Sequence, residues 1–295
     1  MTVEVTEGLV RRLVASQFPQ WRNLPIRPVA QSGWDNRTFH LGEEMLVRLP
    51  SVGRYAAAVE REHVWLPRLA PHLPLLIPAS LALGEPGEGY PYPWSVRGWL
   101  ADETALAAPP SDLMSFAADL AAFLNAFHAI SAEGGPAAGK DSFFRGASLA
   151  TYDAQTREAV GKLAGQIDSS AVLHLWDAAL SAPFTGPPVW VHGDLVDANI
   201  LVRSDRLSAV IDFGQLCVGD PACDLAIAWT VFQGESRRAF RHALPLDAGT
   251  WARGRGWALW KALIRLAGWP GPTREIEAAP RVLAEILADS GEQRA

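Results

Sequence analysis

Between residues 73 and 100 the chain carries Pro74, Pro78, Pro86, Pro91 and Pro93 among glycines, and this stretch limits the possible folds more than any other feature. Proline fixes φ and has no N–H to donate, so long regular elements are excluded there and only short strands near 79–83 and 94–99 fit. The chain has different periodicities on its two sides. Ahead of it, residues 38–41 and 45–49 are β-like and are separated by Gly42-Glu43-Glu44, the pattern of a hairpin. A helix over 4–16 precedes that hairpin, with Val5, Leu9, Val10, Leu13 and Val14 on one face, and a second, over 55–69, follows it to pack on the sheet. Beyond it, residues 112–130 place Leu113, Phe116, Ala117, Leu120, Leu124 and Phe127 on one helical face behind a Ser111 or Asp112 cap. Helical spacing recurs over 154–165, 171–180, 223–232 and 250–267, interrupted by β-like stretches at 189–191 with 200–202 and at 207–211. Strands first and helices later describe an α+β chain of two lobes, residues 1–98 and 99–295.

Composition narrows the classes of partner. Hydrophobic residues make up 49% of the chain and charged residues 20%, a balance that builds a core and excludes disorder as the main state. A net charge of −6 argues against a nucleic-acid partner, which needs a basic surface to neutralise phosphates. No uncharged apolar run reaches the roughly 18 residues that span a bilayer. The first residues, MTVEVTEGLVRR, lack the basic start and apolar core of a signal peptide. Cys217 and Cys223 are the only cysteines and suggest neither a disulfide framework nor a zinc site, so no membrane and a reducing cytoplasm are expected.

The chemistry is concentrated in V-W-V-H-G-D-L-V-D-A-N-I-L-V, followed after a polar turn by L-S-A-V-I-D-F-G. Asp194 and Asn199 belong to a loop leaving one strand, and Asp212 stands at the end of the next. Carboxylate and amide oxygens on adjacent strand ends suit a hard cation. A carboxylate left uncoordinated accepts a proton from an attacking hydroxyl within hydrogen-bond reach.

H-G-D-L-x-x-x-N-I-L, V-I-D-F-G and G-D-P-A-x-D-L-A together resemble the aminoglycoside phosphotransferase family, whose fold is similar to that of the protein kinases. Asp194 and Asn199 keep the kinase interval of five between catalytic Asp and metal-binding Asn. The resemblance covers residues 26 to 268. It implies a protein-kinase-like fold, with a small β-rich N-terminal lobe carrying one packed helix and a larger, mainly helical C-terminal lobe. It also implies transfer of the γ-phosphate of ATP or GTP to a hydroxyl of a small-molecule acceptor. Asp194 would be the base, and Asn199 and Asp212 would hold Mg²⁺. His192 is expected to fix the loop through backbone hydrogen bonds. Asp220 and Asp224 are expected to be structural, with Asp220 near the metal as the lesser possibility.

For the donor, Gln31-Ser32-Gly33-Trp34-Asp35-Asn36 resembles the family's nucleotide loop, with Ser32 and Asn36 facing the phosphates. Where the family places a lysine, this chain has Arg48; it contains no lysine before Lys140. Arginine keeps the charge and offers a fork suited to phosphate, though its geometry differs. Glu62 is the expected partner of Arg48, and the backbone from Arg97 to Trp99 is the expected contact of the purine. An aminoglycoside-like amino sugar is the first acceptor the resemblance implies, with Asp197, Glu235 and Trp257 or Trp260 as candidates to face it. The alternatives are a macrolide, an amino alcohol such as choline or a metabolic sugar as acceptor, or a nucleotide-binding module without transfer, for which Arg48 would be the clue.

Overall fold

The computed structural model describes residues 4–30 and 35–292. Thr6 accepts a hydrogen bond from the Leu9 N–H, and this cap starts α1 (Glu7–Gln17), which buries Leu9, Val10, Leu13 and Val14. The next elements are β1 (Ile26–Pro28), β2 (Asn36–Leu41), β3 (Met45–Pro50), α2 (Ala56–Leu69), β4 (Ser80–Gly84) and β5 (Trp94–Gly98). The strands form an antiparallel sheet in the order β1-β2-β3-β5-β4. Leu41 pairs with Met45 across the expected hairpin, whose turn carries Gly42 at φ +66°, a left-handed conformation that favours glycine. Phe39, Leu41, Val47, Leu49, Trp94 and Val96 close over the apolar face of α1. The proline-rich stretch holds only the two short strands that its composition allows.

Helix α2 differs in part from the expectation. It lies against β4 and β5, but Leu66 and Leu69 join the larger core of the C-terminal half, and Trp65 meets the Trp190 ring at 4.9 Å. Its apolar face is wide enough to serve both sides, so hydrophobic packing is continuous past residue 98.

The C-terminal half continues with β6 (Glu103–Thr104), α3 (Leu113–Ala129), α4 (Asp153–Lys162), α5 (Ser169–Leu180), β7 (Val189–Val191), β8 (Ile200–Arg203), β9 (Arg206–Val210), β10 (Cys217–Gly219), α6 (Ile227–Thr230), α7 (Gly234–Ala243), α8 (Ala248–Leu266) and α9 (Thr273–Glu292). Asp112 caps α3, whose apolar face packs within a core containing Trp176, Trp190 and Trp229. The expected helix over 223–232 is a 3₁₀ turn (Pro221–Ala226) leading into the four-residue α6. Asp224 in that turn is buried and bonded to the loop before β8, and this long-range bond takes the place of a regular helical face. Helices α7 and α9 lie outside the expected set. Pro280 inside α9 reads as a breaker in sequence, yet Ala279, Val282, Leu283 and Ile286 are buried in the larger core, where α9 packs on α8.

Strands β7, β8 and β9 position the chemistry. The loop from His192 to Asn199 joins β7 to β8, and Asp212 follows β9. The Val210 N–H donates to the Leu76 carbonyl at 3.0 Å, so the segment after α2 is fastened to β9 two residues ahead of Asp212.

Candidate active site

The loop geometry starts from Asp224, whose two oxygens accept the N–H groups of His192 and Gly193, each at 2.8 Å. Burial pushes the Asp224 carboxyl up, opposed by the nearby imidazole and these two donors. The Asp194 N–H points at His192 Nδ1 at 3.2 Å, which makes Nδ1 the acceptor and leaves Nε2 to donate to the Ile211 carbonyl at 3.0 Å. His192 is fully buried and ties the loop to the strand before Asp212, the arrangement expected of a loop-fixing histidine. Gly193 has φ +85°, and a side chain there would meet Gln215. The histidine, glycine and distant aspartate therefore form one device that turns Asp194 outward.

Asp194 is 32% exposed, and its carbonyl accepts from Asn199 Nδ2 at 2.9 Å. That bond uses the nitrogen of the Asn199 amide and leaves its oxygen as the atom suited to a hard cation. The Ile211 N–H donates to the Asn199 carbonyl at 2.8 Å, which holds Asn199 beside the strand that ends at Asp212. Asp212 has φ +64°, and the Gly214 carbonyl two residues on accepts from Arg61 of α2. Among the described residues no group of three or more His, Cys, Asp or Glu forms a metal cluster. One carboxylate and one amide suit Mg²⁺, which usually takes few protein ligands and fills its shell with phosphate oxygens and water.

From the sheet, Arg48 Nη2 reaches Asp212 Oδ1 at 3.1 Å, while Arg48 Nη1 lies 3.8 Å from Glu62. Burial disfavours the charge on Arg48, but Asp212, Glu62 and Asp35 outweigh it and raise its pKa above the ordinary arginine value. Burial also works to raise Asp212, yet the Arg48 guanidinium holds it below the ordinary carboxylate range.

Glu62 meets both arginines: it forms a buried bidentate pair with Arg97 at 2.7 and 2.6 Å, which the sequence did not suggest, and lies 3.8 Å from its expected partner Arg48. Arg97 therefore lies under the sheet as a structural cation, and its residue pairs with Leu46 of β3 and Ser80 of β4. The Gly98 N–H donates to the Ala79 carbonyl and the Trp99 N–H to the Glu44 carbonyl, so neither donor is free to meet a purine. The Trp99 ring packs edge-on to His40 at 4.9 Å. The sheet takes these groups because β5 is an inner strand, paired on both sides. Asn36 opens β2 opposite Pro50, and Ser32 lies outside the described residues. Asp220 is held bidentately by Arg253 at 2.6 and 3.1 Å, away from any metal role, because it caps the 3₁₀ turn. Glu235 is 84% exposed on α7 and does not line the cavity beside Asp194.

A cavity of about 310 Å³ opens beside Asp194. Trp257, Trp260 and Asp197 line it, as the sequence suggested, and so do residues it did not single out: Arg145, Lys261 and Glu275. Lys261 Nζ lies 2.8 Å from Glu275 and 3.6 Å from Asp194. One signal was available, since Lys261 is one of only three lysines and closes the tryptophan-rich run W-A-L-W-K. Asp35 also lies close to Arg48 and Asp212. Burial, and then the neighbouring Asp212, push its carboxyl up to about 6 against the pull of Arg48.

The two-lobed fold, with the H-G-D loop after β7 and D-F-G after β9, is that of a kinase-like phosphotransferase. The sequence matches the phosphotransferase enzyme family over residues 26–258, and the chain belongs to that family. No curated protein matches it in sequence comparison. Among solved structures it is similar to aminoglycoside 2'-phosphotransferase-IIIa in its GDP complex, with 18% identity and a TM-score of 0.72 over 97% of this chain and 100% of that one. It is also similar to the streptomycin-ATP-APH(2")-IIa ternary complex, with 19% identity and a TM-score of 0.61 over 97% and 99% of the two chains. The macrolide 2'-phosphotransferase MphH from Brachybacterium faecium matches with 23% identity and a TM-score of 0.57 over 94% and 98%.

Proposed function

We propose that this phosphotransferase moves the γ-phosphate of ATP or GTP to a hydroxyl of a small molecule bound in the cavity beside Asp194. One observation carries the reading: Asp194, Asn199 and Asp212 converge from the ends of β7, β8 and β9, and Arg48 of β3 reaches the same point. Asp194 accepts the proton of the attacking hydroxyl and aims its oxygen at phosphorus. Asn199 and Asp212 hold Mg²⁺, which when bound neutralises charge on the donor phosphates. Arg48 presents its guanidinium to those phosphates in place of a lysine, and Asn36 faces them from the start of β2; Ser32, the other expected phosphate contact, lies outside the described residues. We read residues 1–98 as the donor lobe and 99–295 as the catalytic and acceptor lobe.

Among the described residues no helix is long and apolar enough to cross a membrane. Cys217 and Cys223 are unpaired and buried, which supports a reducing cytoplasm. The acceptor classes named by the neighbours, aminoglycosides and macrolides, are the first to assay. The apolar share of the cavity wall, with Leu195, Val196, Trp257 and Trp260, favours an acceptor with an apolar body over a fully polar amino sugar.

A coupled assay with ATP and GTP against hydroxylated acceptors tests the proposal. Asp194→Ala is expected to lower kcat by about 10²- to 10⁴-fold while nucleotide affinity stays within error. Comparable turnover in the variant would remove Asp194 as the base. Nucleotide binding without turnover of any acceptor would favour a non-catalytic module.

A further inference from the structure

We infer that the acceptor is an alcohol with an apolar body and an anionic group close to the reacting hydroxyl, and that the site discriminates against polycations. The inference rests on the phosphotransferase reading above. It comes from how the wall of the cavity is charged. In a chain of net charge −6, this cavity is lined by five cationic side chains and three acidic ones. The acids already have partners: Glu275 is held by Lys261 and Arg265, each at 2.8 Å, Asp197 lies 3.8 Å from Arg274, and Asp194 has Lys261 at 3.6 Å. An incoming ammonium would have to displace a cation from each. A ligand with several ammonium groups gains nothing from carboxylates that are already neutralised, and it meets the remaining positive charge.

Two arginines of the wall have no carboxylate partner among the described residues. Arg281 donates to the Thr230 carbonyl. Arg145 donates through Nε to Gln215, and its Nη1 is buried without a hydrogen-bond partner, as is Trp257 Nε1. Arg145 stands beside the catalytic loop, since a side chain at Gly193 would lie 3.1 Å from its Cβ. Its guanidinium also lies over the rings of Trp260, Trp257 and Tyr152, at 4.7, 5.1 and 6.0 Å from their centroids. Three aromatic faces of this kind would recognise an organic cation, but here the protein's own arginine occupies them. What remains to be satisfied is positive charge and N–H donors, and an anionic group adjacent to the hydroxyl satisfies both.

A matched series isolates the charge: 3-phenyllactate, the neutral 3-phenyllactamide and the cationic 1-amino-3-phenylpropan-2-ol, with kanamycin as a polycation. Binding is measured by calorimetry on the full-length protein with Mg²⁺ and a non-hydrolysable ATP analogue. The carboxylate is expected to bind about tenfold more tightly than the amide, the effect of one charge-assisted hydrogen bond, and both cations more weakly still. In Arg145→Met, which keeps an apolar side chain over the rings, the preference of carboxylate over amide is expected to fall to about twofold or less. Cations binding as well as the carboxylate, or no member of the series binding, would overturn the inference. So would an Arg145→Met variant that loses nucleotide affinity and keeps the carboxylate preference, because Arg145 would then serve the donor. Nucleotide binding and slow Asp194-dependent hydrolysis of ATP are measured separately. If they persist while the charge order fails, only the acceptor inference falls; if they are absent, the phosphotransferase reading falls and takes the inference with it.

Discussion

Removing the Glu62 carboxylate distinguishes the two arginines that flank it. Glu62 and Arg97 are 3% and 2% exposed and share two hydrogen bonds at 2.7 and 2.6 Å, whereas Arg48 approaches only to 3.8 Å. Removing one member of a buried pair leaves a charge without water or counter-ion and costs about 3 to 5 kcal/mol, whereas replacing both by apolar groups of similar volume is close to neutral. Glu62→Leu and Arg97→Met should therefore each destabilise by about 3 to 5 kcal/mol, and the double variant by much less, a coupling of about 3 kcal/mol or more. Glu62 and Arg48 make no hydrogen bond at their separation, and Arg48 keeps Asp212, so the cycle of Glu62→Leu with Arg48→Met should give about 1 kcal/mol or less. Urea unfolding at pH 7, followed by tryptophan fluorescence and circular dichroism with coincident transitions, supplies the stabilities. Calorimetric nucleotide binding supplies a second readout, in which Arg48→Met weakens the nucleotide and the Glu62–Arg97 double replacement does so far less. A larger coupling of Glu62 to Arg48 than to Arg97 would refute this ranking and make Arg48 the principal partner.

Two further perturbations probe His128 and Asp224. Burial lowers the His128 pKa from 6.5 to about 4, and its Nε2 has no partner among the described residues, so the native state holds it neutral. Between pH 6.5 and 4 the unfolded chain binds the proton and the native state does not, so this group's contribution, about 3 kcal/mol, is present above pH 6.5 and lost as pH falls toward 4. His128→Phe should flatten that part of the stability profile, and an unchanged acid limb in urea titrations would show that the imidazole is solvated. Asp224→Ala strands the buried N–H groups of His192 and Gly193 and should cost about 2 to 6 kcal/mol. It should lower kcat more than nucleotide affinity, with Asp224→Asn recovering part of both; equal turnover in the alanine variant would show that the loop holds itself.

The sequence alone determined what depends on local geometry. The interval of five between Asp194 and Asn199 has meaning because one short loop delivers both, and strand patterns on either side show where it starts and stops. The hairpin before β3, the lack of long elements between residues 73 and 100 and the capped helix after Asp112 were legible for the same reason: their stabilising bonds fall within a few residues. Only the tertiary structure decided which charges meet. Arg97 lies 35 residues from Glu62, and Asp224 lies 32 from the N–H it accepts, distances over which periodicity carries no information. Periodicity shows which face of a helix is buried, and Lys261 and Glu275 sit at the margins of such faces on α8 and α9. Their direction toward Asp194 depends on how those two helices pack, and that packing sets a charged cavity beside a loop that was readable from sequence.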